Sequence, residues 1–133
     1  MTASTRLAWT LLRVGTASMM IVHGVARARL GIVDDFGAYL NATGFPAGFY
    51  LAWFITINEI AGGLALAAGY FVRPLAAWFI FQLATGIYLI HGRVGWFVVG
   101  AGRNGTEFSA LLILCFVVIA ITSSATRRAF RLR

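Results

Sequence analysis

Acidic residues and lysine are what this sequence most clearly lacks. Its 133 residues contain eleven arginines, no lysine and only four carboxylates, for a formal net charge of +7. Such a balance also occurs in nucleic-acid-binding proteins. The arginines, however, lie in short clusters between apolar blocks, where they orient membrane proteins, and no groove-reading motif accompanies them. We therefore expect no nucleic-acid partner.

Cysteine is nearly absent as well. Cys115 is the only one, so an intramolecular disulfide and a Cys-x-x-Cys redox pair are both excluded. Because it lies in an aliphatic run, we interpret it as a small buried hydrophobic residue.

Polar residues in general are few. Apolar residues make up 60% of the chain and the mean hydropathy is +0.85, well above the values of soluble domains. The apolar blocks cover residues 7–24, 50–71, 75–90 and 108–122, and one membrane span needs about 20 helical residues. We therefore expect an all-α integral membrane protein in the lipid bilayer, a four-transmembrane-helix bundle forming a single domain over residues 1–133 with a basic tail at 123–133.

The first apolar block has an alternative interpretation as a cleaved signal peptide, with Ala26-Arg27-Ala28 as the cleavage site. Arg13 in the middle of the block argues against it, because the core of a signal peptide is normally uncharged.

The arginines divide unequally between the two sides of the predicted bundle. Six lie on the side of the termini and four on the other, which favours cytoplasmic positions for both termini of a multi-pass protein. Trp9 then falls near the inner boundary and Trp96 near the outer one, as aromatic belts require. The tail is expected to rest on anionic lipid through Arg127, Arg128, Arg131 and Arg133.

The first outer loop contains a short helical pattern. Phe36, Tyr39 and Leu40 have helical spacing, and the breaker Thr43-Gly-Phe-Pro46 follows them. We expect a short helix that lies in the outer interface.

Two ionisable residues lie deep within the predicted spans. Arg13 in the first block and Glu59 in the second would both lie about 15 Å from the outer edge, at 1.5 Å per residue. Because a lone charge at that depth costs several kcal/mol, we predict a buried Arg13–Glu59 ion pair. Asn58 and Gln82 extend this candidate ligand site. Whether the pair is a structural staple or binds a proton or ligand stays open.

Two histidines precede glycines at the ends of the first and third blocks, His23-Gly24 and His91-Gly92. In one interpretation the glycine ends the helix in the left-handed conformation and the histidine meets the negative end of the helix dipole. In the other, His23, His91 and Glu107 form an outer polar layer that ligates a metal or a haem or relays protons. No diagnostic spacing supports a metal, so we assign none.

Several motifs together resemble the DoxX family. They are Leu11-Leu-Arg-Val-Gly15, His23-Gly24, Asn58-Glu-Ile-Ala-Gly-Gly63, Arg73, His91-Gly92 and Asn104-Gly-Thr-Glu107, within a similarity from about Leu7 to Thr122. The resemblance implies a four-helix protein of the bacterial inner membrane. The family includes the membrane subunit of a thiosulfate:quinone oxidoreductase and members that assemble with redox-defence enzymes, and no catalytic set is established across it.

The leading hypothesis is a membrane subunit of a larger redox assembly, in which the Arg13–Glu59 interior offers a place for the head group of a quinone, the candidate cofactor. Other membrane or membrane-associated subunits are its expected partners. The alternative is a non-catalytic accessory subunit that scaffolds a complex, since no strong catalytic motif is present. Transport of a small molecule is a third hypothesis, for which four short spans leave little room unless copies oligomerise. Thiosulfate chemistry by this chain alone is not expected, because it lacks a cysteine pair and an added soluble domain. Enzymatic activity stays open.

Overall fold

The computed structural model describes the backbone of residues 2–100 and 104–131, and the side chains as far as Ser123. Over these residues the chain is helical and contains no strand, which confirms the all-α prediction. Five helices follow one another: α1 (Ala3–Arg29), α2 (Val33–Ala42), α3 (Gly48–Ala68), α4 (Val72–Val94) and α5 (Glu107–Arg131).

Two of these helices, α3 and α4, are long and apolar enough to cross a membrane. The apolar part of α5 that is described, Glu107–Ser123, is shorter, and α1 carries Arg13 and His23 within its apolar block. The structure therefore supports a membrane protein, and the count of four spans stays a prediction.

The interpretation of His-Gly as a helix end is wrong at both positions. α1 continues through Gly24 to Arg29, and α4 continues through Gly92, whose φ and ψ of −64° and −23° are right-handed helical. The residues after Gly24 are Val-Ala-Arg-Ala-Arg, and alanine and arginine are good helix formers. The left-handed residue that ends α1 is Gly31, with φ +68°.

The end of α1 is a Schellman motif. Gly31 N–H donates to the Ala28 carbonyl at 3.2 Å and Ile32 N–H to the Arg27 carbonyl at 3.3 Å, the two bonds that define this motif. The end of α3 repeats it, since Gly69 N–H donates to Leu66 and Tyr70 N–H to Ala65. Both helices thus end on a glycine with positive φ, a conformation that costs glycine little.

The chain divides into two compact units, Ala17–Tyr70 and Met1–Thr16 with Phe71–Arg133. In the unit Ala17–Tyr70, α2 packs on the first half of α3 around buried Val33, Leu40 and Ala52. A Cβ on Gly37 would lie 2.8 Å from Phe49 Cα, so the helices touch backbone to backbone. The short helix of the first loop is therefore present, over Val33–Ala42, and its buried face is Val33, Gly37 and Leu40, while Tyr39 is exposed.

In the other unit, α4 and α5 pack against each other. Phe79 of α4 and Phe116 of α5 are fully buried, and their ring centroids are 5.3 Å apart at an interplanar angle of 34°, a tilted contact of the kind aromatic pairs favour. Cys115, next to Phe116, is a free and half-buried thiol. This pair of helices positions His91, near the end of α4, and Glu107, at the start of α5, on either side of the connecting loop.

Candidate functional site

Two π-helical turns interrupt the long helices where the sequence places its polar residues. One is Asn58–Gly62 in α3 and the other is Ile87–His91 in α4. π turns are rare, and they occur frequently at functional sites because the extra residue changes where neighbouring side chains point. Asn58, Glu59 and His91, all predicted site residues, lie on these turns.

The carboxylate of Glu59 is the centre of a buried polar cluster in the unit Ala17–Tyr70. Glu59 is 2% exposed, and its Oε2 accepts a hydrogen bond from Arg27 Nη1 at 2.7 Å, while Oε1 accepts one from Arg27 Nη2 at 3.4 Å. A guanidinium fork that reaches both carboxylate oxygens gives a strong, directional pair. Burial of the carboxylate is therefore compensated by a full opposite charge.

Two further residues fix the guanidinium of Arg27. The Thr56 hydroxyl donates to the Ala52 carbonyl at 2.8 Å, which leaves its oxygen to accept from Arg27 Nη1 at 3.2 Å. The guanidinium carbon lies 4.7 Å from the centroid of the Phe36 ring, within the range of a cation–π contact. Arg27, Thr56, Glu59 and Phe36 thus join α1, α2 and α3 into one site, which we call the Arg27 cluster.

The arginine of this ion pair differs from the one expected. Arg13 is the partner predicted from the sequence, whereas the structure pairs Glu59 with Arg27. The prediction of Arg13 depends on an α1 that ends at Gly24. Because α1 continues to Arg29, it also carries Arg27 near its end. Arg13 itself is half-buried in the other compact unit, where its Nε is buried without a hydrogen-bond partner among the described residues.

Glycines allow the close packing that brings Arg27 to Glu59. A Cβ on Gly24 would lie 2.8 Å from Ile60 Cγ1, 2.9 Å from the Thr56 carbonyl oxygen and 3.0 Å from Glu59 Cβ. A Cβ on Gly63 would lie 2.6 Å from Ile21 Cγ1. Small residues at such contacts let two membrane helices approach closely. Arg27 follows Gly24 by three residues, so it lies on the same face of α1.

The other members of the predicted ligand site are distributed between the two units. Asn58 lies beside Glu59, and its side-chain oxygen is buried without a hydrogen-bond partner among the described residues. Gln82 is half-buried on α4, in the unit that also contains Arg13. The residues that sequence reasoning missed are Arg27, Thr56 and Phe36. The sequence signal for Arg27 is its spacing from Gly24, which puts both residues on one face of α1. The small pair Gly62-Gly63 on α3 indicates the close contact that this face makes.

Two members of the predicted outer polar layer, His91 and Glu107, hydrogen-bond to the backbone of the connection between α4 and α5. We call this arrangement the loop latch. Glu107 Oε1 accepts hydrogen bonds from the backbone N–H groups of Val98 and Val99 at 2.8 and 3.3 Å. His91 Nδ1 lies 2.8 Å from the Asn104 carbonyl oxygen, and since a carbonyl only accepts, Nδ1 carries the proton of this bond. His23 is exposed and belongs to the other unit.

The motif Asn104-Gly-Thr-Glu107 is explained by this latch. Asn104 has φ +54°, and a Cβ on Gly105 would overlap the carbonyl oxygens of Trp96 and Phe97. The Thr106 hydroxyl donates to the Gly95 carbonyl at 2.8 Å. Each position of the motif thus serves the loop backbone. Within the described residues, no three His, Cys, Asp or Glu side chains converge as a metal site would require.

The tail arginines predicted to contact lipid lie beyond the described side chains. Arg127, Arg128 and Arg131 are on the last turns of α5, whose side chains from residue 124 onward are not described, and Arg133 lies outside the described residues.

Comparison with known proteins identifies a family for this chain. The family model described as DoxX matches residues 8–92, which is more than half of the chain and includes every member of the Arg27 cluster. No curated protein and no solved structure matches the chain.

Proposed function

Since this chain belongs to the DoxX family, a membrane family, we propose that it is a membrane-embedded subunit of a larger redox assembly and that the Arg27 cluster binds the head group of a quinone. The observation that carries the proposal is the Arg27 guanidinium, held between Glu59, Thr56 and Phe36. The proposal places the chain in the bacterial inner membrane with both termini in the cytoplasm, in keeping with its distribution of arginines.

The chemistry of the guanidinium supports this ligand class. Arginine has five N–H donors, and three hydrogen bonds in the cluster leave further donors for a ligand. Arg27 is the open side of the pair, since its side chain is 18% exposed and that of Glu59 3%. A quinone head group offers carbonyl oxygens that accept such bonds, and its isoprenoid tail suits the lipid around the apolar helices.

The pairing of Glu59 supports a positioning role for its side chain. Its two carboxylate oxygens both accept hydrogen bonds from Arg27, and a two-point contact of this kind fixes the orientation of the guanidinium. The role we propose for Glu59 is therefore to hold Arg27 in position.

The test is a titration of the purified full chain with decylubiquinone, followed by quenching of tryptophan fluorescence. Arg29→Gln is the matched control, because Arg29 is exposed on the same turn of α1. Arg27→Gln alone would leave a buried carboxylate unpaired, so the test variant is the neutral double substitution Arg27→Gln with Glu59→Gln. We expect saturable quenching in the parent and in the control, and at least about tenfold weaker binding in the double variant, from the loss of a charged donor.

Equal affinity in parent and double variant, with both folded, would contradict the quinone site. Saturable binding that Arg29→Gln weakens as much as the double variant would contradict its location at Arg27.

The exposed loop after α4 favours a second candidate, a non-catalytic accessory subunit. Trp96, Phe97 and Val99 are exposed on a loop that Glu107 holds in place, an arrangement suited to contact with another protein. Mild purification separates the two functions. A stoichiometric protein partner without bound quinone, lost on substitution of Trp96 and Phe97 by serine, supports the accessory function alone.

A further inference from the structure

One face of α1 near its N-terminus carries two arginines and a tryptophan. Arg6, Trp9 and Arg13 are separated by three and then four residues, within the helix Ala3–Arg29, so they lie on the same face. Arg6 is exposed, and Trp9 and Arg13 are half-buried. We call these three residues the N-terminal arginine face. None of them belongs to the Arg27 cluster, so the inference does not depend on the proposed quinone site.

Among the described side chains of its own compact unit, this positively charged face has no carboxylate paired with it. That unit comprises Met1–Thr16 and Phe71–Arg133, and Glu107 is the only acid in it. The Glu107 carboxylate is engaged with the backbone N–H groups of Val98 and Val99. The first turn of α1 contains no acid either, and Arg13 Nε is buried without a partner among the described residues.

The geometry of a helix sets the depth at which this charge is presented. Side chains on an α-helix tilt toward its N-terminus, so Arg13 can extend its side chain toward the turn that holds Trp9. Trp9 precedes Arg13 by four residues, or about 6 Å along the axis, which a flexible arginine stem can span while its methylene groups stay in apolar surroundings. Tryptophan itself prefers the level of the lipid headgroups.

We propose that the N-terminal arginine face binds the phosphate of an anionic lipid headgroup, in the leaflet at the N-terminal end of α1. Arg6 and Arg13 donate N–H groups to the phosphate oxygens, a pairing for which guanidinium geometry is suited. The indole of Trp9 lies at headgroup level between them. A bilayer places lipid phosphates at the level of Trp9, where both arginines can reach them. A carboxylate from another protein would require that protein to bind at the same level.

Native mass spectrometry of the full chain in a neutral detergent tests the proposal, with phosphatidylglycerol as the probe and phosphatidylcholine as the zwitterionic comparison. We expect preferential retention of phosphatidylglycerol. Arg6→Gln and Arg13→Gln are each expected to weaken it about fivefold, the effect of about 1 kcal/mol per arginine near a lipid surface. Arg13→Lys keeps a charge that can reach the headgroup and is expected to retain most of the binding.

Arg93→Gln is the control. Arg93 is exposed on α4, so its substitution removes the same charge from a different part of the protein. A fivefold loss in this control as well would mean that only net charge matters and would overturn the site. Unchanged lipid retention in Arg6→Gln, which alters an exposed side chain at the start of α1, would also overturn it, even if Arg13→Gln does not fold.

Two further arms identify the source of the phosphate. Inorganic phosphate added at the lipid concentration is expected not to displace phosphatidylglycerol, and displacement would mean a site for soluble phosphate instead. Loss of a co-purifying protein from Arg13→Gln, with lipid retention unchanged, would assign the arginine to a protein carboxylate and contradict the lipid site.

Discussion

Removing one or both charges of the Arg27–Glu59 pair should destabilise the protein unequally. The two side chains differ in burial, since that of Glu59 is 3% exposed and that of Arg27 18%. Arg27→Gln leaves a buried carboxylate without its cation, and such a loss costs about 3–5 kcal/mol. Glu59→Gln keeps an amide oxygen that accepts one hydrogen bond and leaves the more exposed partner charged, so we expect about 1–3 kcal/mol.

The double variant is the stronger test of the interaction between Arg27 and Glu59. With both charges removed, two glutamines face each other and no unpaired ion remains, so the cost should be at least about 2 kcal/mol less than the sum of the single costs. Arg29→Gln, an exposed arginine two residues along α1, should change stability by less than about 0.5 kcal/mol.

The assay is reversible unfolding in mixed detergent micelles, followed by far-ultraviolet circular dichroism, for the parent, both single variants, the double variant and the control. Additive single effects would show that the two side chains do not interact in the folded protein. An Arg27→Gln variant no less stable than Arg29→Gln would refute the buried pair itself.

Two other predictions follow from the packing of α1 and from the loop latch. Gly24→Ala should destabilise the protein by about 1–3 kcal/mol, because its Cβ would meet backbone and side-chain atoms within 3.0 Å. Gly15→Ala, whose Cβ would meet no heavy atom within 4 Å, should stabilise it by up to about 1 kcal/mol. The same unfolding assay measures both variants, and equal effects would contradict the close contact at Gly24. Glu107→Ala should raise hydrogen–deuterium exchange at the amides of Val98 and Val99, because both lose their hydrogen-bond acceptor. Glu107→Gln should raise the exchange less, because its side-chain oxygen still accepts. Unchanged exchange in the alanine variant would contradict the loop latch.

The helices could be predicted from hydropathy, because each long apolar segment is recognised from its own composition. Hydropathy could not predict where α1 ends. Glycine is common both as a helix terminator and as a point of close helix contact, and the residues around Gly24 fit either role. The decision rests on Thr56 and Ile60, which lie more than thirty positions along the chain and leave no room for a side chain at residue 24.

The prediction of a buried ion pair depended on Glu59, whose partner could be predicted in kind but not in position. Glu59 lies within an apolar block, and a carboxylate there requires a cation, so the sequence was sufficient to expect an arginine. Choosing between Arg13 and Arg27 required the length of α1. The π turns at Asn58–Gly62 and Ile87–His91 were beyond prediction, because one extra residue in a helical turn leaves no compositional signal.

The end of α1 and the arginine that pairs with Glu59 were both mispredicted for the same physical reason. That reason also connects the motifs that resemble the DoxX family. Because Gly24 has no side chain, α1 can continue past its contact with Thr56 and Glu59 instead of ending there, and only a continuing helix can present Arg27 one turn later. His-Gly in α1 and Asn-Glu-Ile-Ala-Gly-Gly in α3 therefore describe the two sides of a single contact. Within it, the glycines set the distance between the helices and Glu59 selects the cation. If the Arg27 cluster binds a ligand, the length of α1 beyond Gly24 is as much a requirement of the site as Glu59 itself.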